Sequence, residues 1–164
     1  MHITGIKYSE LKLSRFYNIE DLLDINDIIN KVCSDNQKYI NFYWLGIRDY
    51  NPVWKLQRKL HELRINHEIN DIVLLLEHNH VYTLGKHANK DHILPSKPTD
   101  TDIIKIDRGG DVTYHGPGQL VGYPIIDLHS YKMSITWYIR LLSNSIIDLL
   151  KEINIDSYYK KNYI

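Results

Sequence analysis

The residues best suited to chemistry in this 164-residue chain stand together in the run Asp107-Arg-Gly-Gly-Asp-Val-Thr-Tyr-His-Gly-Pro-Gly-Gln-Leu-Val-Gly-Tyr123. Arg108 offers a rigid fork of donors for a carboxylate, phosphate or carbonyl oxygen. Thr113 and Tyr114 bring hydroxyls and Gln119 an amide. His115 brings an imidazole, the side chain suited to moving protons near neutral pH or to orienting a carbonyl. Five of the eight glycines fall between Gly109 and Gly122. Glycine costs conformational entropy, so such a cluster marks backbone that takes φ > 0 or approaches another group closely. Gly109-Gly110 permits a tight turn with inward N–H groups, an arrangement that binds anions and polarised carbonyls. Gly116-Pro117-Gly118 makes a second, stiffer turn. The alternative is a surface hairpin in which the glycines only allow the turns and Arg108 pairs with Asp107 or Asp111. Five hydrogen-bonding side chains on this backbone favour a binding loop.

Other sources of chemistry are weaker. The chain has no G-x-x-x-x-G-K-S/T, and Gly116-Pro-Gly118 does not extend to G-x-G-x-x-G, so these motifs do not indicate ATP. His78, His80 and His87 invite a metal reading, but alternate residues of a strand point to opposite faces. Glu77 is the only carboxylate at ligand spacing. One of these histidines lining the same pocket as His115 is the better expectation, with no metal and no cofactor. Cys33 is the single cysteine. It excludes an internal disulfide and a multi-cysteine zinc site, and it lies in the least regular part of the chain.

The elements that must position the loop follow from pattern. The length suits one domain able to bury most of its apolar surface. Twenty basic and twenty acidic residues leave no formal charge, hence no electrostatic case for a nucleic-acid or membrane partner. No stretch approaches ~20 apolar residues. Residues 1–40 alternate short apolar patches with Asn, Asp and Ser and read as an appended or targeting segment, with Ile19 to Val32 as one amphipathic helix. The domain proper is expected over 41–164. Residues 41–47 are aromatic and β-prone, and open it as a strand. Asn51 as cap and Pro52 in the first turn start a helix over 52–65, with Val53, Leu56, Leu60 and Leu63 on its buried face. Residues 71–77 form a strand buried on both faces. His78 to His80 turns the chain into a short partner strand, Val81 to Leu84, and residues 87–101 read as a loop. Ile103 to Ile106 is the next strand. Leu120 to Leu128 follows, its Pro124 suiting an edge or a strand end. Ser134 caps a long helix whose stripe Tyr138, Leu141, Leu142, Ile146, Leu149, Leu150 and Ile153 reads as core. This order predicts the α+β class, a mixed sheet with packed helices.

Arg108 to Tyr123 closely resembles the signature of the lipoyl(octanoyl) transferases, R-G-G-x-x-T-Y-H-G-P-G-Q-x-V-x-Y, with every fixed position matched. Leu75-Leu-Glu-His-Asn-His-Val-Tyr-Thr-Leu-Gly85 is similar to the family's E-H-x-x-V-x-T-x-G segment, and His92-Ile-Leu94 and the helix after Ser134 fall where the family has them. The resemblance covers about residues 43–160. The related ATP-using lipoate ligases carry a loop nearer R-R-x-S-G-G-G-x-V-Y-H-D, which departs from Gly-Pro-Gly-Gln here.

The resemblance implies the fold of the biotin/lipoate ligase and transferase catalytic domain. It implies transfer of an octanoyl group from octanoyl-acyl carrier protein to a lysine of a lipoyl domain, in 2-oxoacid dehydrogenases or the glycine cleavage H protein, without ATP. Arg108, Gly109, Gly110, Asp111, Val112, Thr113, Tyr114 and His115 would line the acyl pocket. The implied route is thioester exchange onto a cysteine whose pKa a nearby lysine lowers, then attack by the target lysine. The family places that lysine in a G-x-K-[IV]-A-like strand beyond the long helix, and the cysteine further on. Lys160 and Lys161 have neither the position nor the flanking residues. The expectation is therefore a chain carrying no catalytic residue of its own: a fragment of an active enzyme, or a module that binds acyl groups or lipoyl domains. An organelle, plastid or mitochondrion, is the expected compartment, with the cytosol as alternative.

Overall fold

The structure, a computed structural model, describes residues 15–34, 40–93 and 101–160. It divides into two compact units, the first ending at Ile126 and the second beginning at Asp127.

The first unit holds two sheets. One has the order β1-β2-β3-β7, formed by Arg15–Asn18, Asn41–Arg48, Ile72–His78 and Val121–Ile125. Its first three strands run parallel and β7 runs antiparallel to β3. The other sheet has the order β5-β4-β6, from Asp102–Lys105, Val81–Leu84 and Val112–His115, with β5 parallel and β6 antiparallel to β4, so Val81–Leu84 leaves the sheet of the preceding strand and does not pair with it as expected. Mixed sheets with helices give the α+β class, as the pattern predicts. Pro124 sits in β7 at a sheet edge, the position in a sheet where proline is tolerated.

Helix α2 (Tyr50–Ile65) buries Val53, Leu56, Leu60 and Leu63 against Leu74 and Leu76 of β3 and Tyr43 and Leu45 of β2, in one core cluster. Burying each such side chain contributes roughly 1.5–3 kcal/mol. The ion pair Arg64–Asp71, 2.7 Å long and largely buried, fastens the end of α2 to the approach of β3. The helix starts two residues before Pro52, with Asp49 rather than Asn51 in the cap position and no side-chain cap bond. A proline is tolerated throughout the first turn, where N–H groups have no helical partner, so Pro52 marks the turn but not its first residue.

Three further expectations are corrected. Ile19 to Val32 is not one helix: β1 ends at Asn18, and α1 runs Ile25–Cys33 from an Asp24 cap whose carboxylate accepts the Asn26 N–H at 2.7 Å. Ile19, Ile28 and Val32 join the same core as α2, so residues 15–33 contribute a strand and a helix to the sheet that the 41–48 strand enters. Strand β3 is buried on one face only, since Ile72, Leu74, Leu76 and His78 are buried while Val73, Leu75 and Glu77 are half-buried. In the second unit, α3 (Ile135–Glu152) is capped by Ser134 Oγ as expected, but none of its residues is buried. Ile146, Leu149 and Ile153 are 58%, 56% and 59% exposed. Helical periodicity identifies an apolar face; it carries no information on whether that face is covered.

Candidate active site

The glycine-rich run forms β6, the turn to β7, and the loop leading into β6. Its first arm is held by main chain. Gly85 N–H donates to Asp111 O, Lys86 N–H to Arg108 O at 2.9 Å and His87 N–H to Gly110 O at 3.1 Å. The two segments pack so closely that a Cβ on Gly85 would overlap the Gly110 carbonyl. Gly110 takes φ +86°, a region few side chains tolerate. Asp111 locks the arm from the side. Its Oδ1 accepts the Asn89 N–H at 2.9 Å and the Val112 N–H at 2.8 Å, and its Oδ2 meets His92 Nδ1 at 2.5 Å. The two backbone donors first, and His92 after them, hold the Asp111 carboxyl below the usual carboxylate range.

Arg108 folds back on the same arm. Its guanidinium donates to Gly109 O at 2.8 Å, Asp111 O at 3.1 Å and Thr113 Oγ1 at 2.8 Å. The Arg108 pairing with Asp107 or Asp111 carboxylates, considered from the sequence, is replaced by these carbonyl and hydroxyl contacts. A guanidinium satisfied by its own loop shapes that loop.

The second arm is held by side chains. Gly118, at φ +85°, donates its N–H to Glu77 Oε2 at 2.7 Å. Gln119 N–H donates to Gly116 O, and the Gln119 side chain spans His115 Nδ1 at 2.7 Å and Tyr114 O at 3.3 Å. Tyr114 OH meets His80 Nδ1 at 2.5 Å.

Between the arms an aromatic cluster backs His115. Its ring lies 6.2 Å from Tyr50, at the start of α2, and 5.7 Å from His78, at the end of β3. His78 is fully buried. Its Nδ1 faces the Arg48 carbonyl at 2.9 Å and its Nε2 faces the Tyr123 hydroxyl at 2.9 Å. A carbonyl only accepts, so Nδ1 carries the hydrogen and Tyr123 donates to Nε2. Burial is the main reason that His78 titrates below an ordinary histidine and that the Tyr50 and Tyr123 hydroxyls titrate above an ordinary tyrosine. The cluster is a desolvated wall of neutral rings.

The structure therefore places His78 beside His115 and turns His80 to Tyr114, while His87 meets the loop through its backbone. Among the described residues no three His, Cys, Asp or Glu side chains are grouped to hold a metal ion. Cys33 packs against the core at the end of α1. Leu94 and Lys161 lie outside the described residues.

A family model described as the lipoyl protein ligase A/B catalytic domain matches residues 49–163, most of the chain and the whole loop from Arg108 to Tyr123. The chain belongs to that family. About two thirds of the chain is similar to proteins named octanoyltransferase. The protein of Gloeobacter violaceus is 44% identical over 111 residues, 67% of this chain and 50% of that protein. That of Caldicellulosiruptor bescii is 44% identical over 117 residues, 69% and 51% respectively. That of Xanthomonas campestris pv. campestris is 40% identical over 111 residues, 68% and 47%. The chain spans about half the length of these curated relatives.

Within the lipoyl protein ligase A/B domain, Tyr50 and Asn89 carry no signal in the sequence, and Glu77, Gly85 and Tyr123 stand in its motifs without revealing the contacts they make here. Glu77 and Gly118 are 41 positions apart, and His78 and Tyr123 are 45 apart. One signal was available for Gly85: an isolated glycine closing a strand marks a close backbone approach.

Proposed function

We propose that the protein bearing this chain transfers an octanoyl group from octanoyl-acyl carrier protein to a lysine of lipoyl domains, the first step of protein lipoylation. The observation that carries the reading is the complete loop from Arg108 to Tyr123, folded as a locked cradle, in a chain that is 44% and 40% identical over 111 residues to two octanoyltransferases. The loop from Arg108 to His115 lines the acyl pocket: Arg108, Asp111 and Thr113 set its shape, and His115 faces the reacting end, backed by the neutral rings of Tyr50, His78 and Tyr123. Such a wall excludes water from a thioester that would otherwise hydrolyse. In the net reaction the lysine nitrogen bonds to the acyl carbon, the carbon–sulfur bond breaks, and the thiol takes the proton.

The test uses the full-length protein with octanoyl-acyl carrier protein and an unmodified lipoyl domain, followed by mass spectrometry of the acceptor. Acceptor gaining one octanoyl group without ATP is the expected result. Modification only when octanoate and ATP are supplied would assign the protein to the ligases, and no modification under either condition would reject both.

A further inference from the structure

Gln119 reaches two groups of its own turn, and their chemistry dictates which way its amide points. One end lies 3.3 Å from the Tyr114 carbonyl oxygen and the other 2.7 Å from His115 Nδ1. A carbonyl accepts and never donates, so the NH2 faces Tyr114 and the amide oxygen faces His115. That oxygen also only accepts, so the hydrogen of the neutral His115 ring sits on Nδ1. Nε2 is left with a lone pair. The main chain holds this arrangement: Gln119 N–H is bonded to Gly116 O, and Gly118 N–H to Glu77.

Both roles raised by the sequence for His115, proton transfer and orientation of a carbonyl, can now be separated. A neutral ring with bare Nε2 has no donor for a substrate carbonyl. We infer that Gln119 is a positioning residue that fixes the His115 tautomer, so that His115 serves the site as a proton acceptor through Nε2. The functional half of this inference rests on the proposed octanoyl transfer. There, the target lysine's ammonium loses its proton to His115 Nε2, and the freed electron pair forms the bond to the thioester carbon. The carbon–sulfur bond then breaks, the departing thiolate takes the proton back from the imidazolium, and the nitrogen releases its second proton to water to leave the amide. Atoms and charge balance with water as the final proton acceptor.

Long-range ¹H–¹⁵N spectra of the 164-residue chain read the tautomer directly, at a pH above the titration of imidazole. His115→Gln identifies the signal. The wild type is expected to show protonated Nδ1 and bare Nε2. Gln119→Met, of similar length but with no acceptor, is expected to move the hydrogen to Nε2, and Gln119→Glu to keep it on Nδ1. In the full-length protein Gln119→Met is expected to lower kcat for octanoyl transfer by about tenfold or more with KM for the carrier little changed, and Gln119→Glu to restore part of it. A wild-type ring protonated at Nε2, or a tautomer unmoved by Gln119→Met, overturns the assignment. A moved tautomer with unchanged kcat overturns the acceptor role. Should the tautomer behave as expected in a full-length protein that transfers no octanoyl group, the assignment stands and the proposed function falls.

Discussion

At Gly109 to Asp111 the loop is fastened by main-chain bonds to residues 85–87, while at Gly116 to Gln119 it is held chiefly by the side chains of Glu77 and Gln119. Both arms are glycine-rich and their sequences look alike, yet they need glycine for different reasons. In the first arm Gly110 takes positive φ and the facing Gly85 has no room for a Cβ against the Gly110 carbonyl, and the charged side chains Arg108 and Asp111 are consumed in holding it. In the second, the side chains that close the turn are also the ones nearest His115. One arm is scaffold, and the other is the adjustable part next to His115. Polar residues in a binding loop are thus not all ligands-in-waiting, because half of them make the backbone possible.

The sharpest way to break this contrast is to add one methyl at the contact that holds each arm. In Gly85→Ala the new Cβ overlaps the Gly110 carbonyl and stands 3.0 Å from Gly109 O, both main-chain atoms that cannot rotate away. A loss of about 3 kcal/mol in urea unfolding is expected, at the high end of overpacking costs. In Gly116→Ala the methyl meets the Tyr114 hydroxyl end, with Cζ at 2.8 Å, and His80 Nδ1 at 3.1 Å. The far end of a side chain can move, so the loss is expected to stay under about 1 kcal/mol. Equal losses would show that both arms are equally rigid.

The fold was more legible than the site for a physical reason. Strands and α2 are specified by local periodicity, which is why Val53, Leu56, Leu60 and Leu63 could be placed on a buried face from their spacing alone. The glycine cluster was legible too, because glycine density reports backbone demand. What a polar side chain touches was not. Arg108 reads from sequence as a ligand fork, and only the fold shows its donors turned onto residues 109–113. Strand β1 was missed because Arg15–Asn18 is four residues long and mostly exposed, too short to show alternation. Pairings such as Glu77 with Gly118 join distant elements and leave no periodic trace.

A second, smaller effect tests the buried wall behind the adjustable arm. Tyr123→Phe leaves His78 Nε2 buried without its donor, which is expected to cost about 1–3 kcal/mol. The His78 environment also predicts a pH dependence. Burial lowers its folded-state pKa below 6.5, so between that lowered value and 6.5 the unfolded chain binds a proton that the folded chain does not. Stability from this group is complete above 6.5 and falls as the pH drops toward the folded pKa. His78→Gln is expected to flatten that part of the curve of urea midpoint against pH. A slope unchanged by the substitution would place the titrating group elsewhere.

The smallest effects separate backbone strain from crowding within the loop itself. A Cβ on Gly109 or on Gly118 would meet nothing within 4 Å, but only Gly118 has positive φ, at +85°. Gly118→Ala should therefore cost about 1–2 kcal/mol from conformation alone. Gly109→Ala should stay within about 0.5 kcal/mol, since reduced freedom of the unfolded chain favours alanine wherever φ permits it. The strain at 118 also falls on the N–H that Glu77 holds, so hydrogen exchange at that amide should quicken in Gly118→Ala while the Lys86 and His87 amides, bonded to the first arm, stay protected. Faster exchange in both places would mean that the two arms open as one unit, and the division between scaffold and adjustable arm would have to be given up.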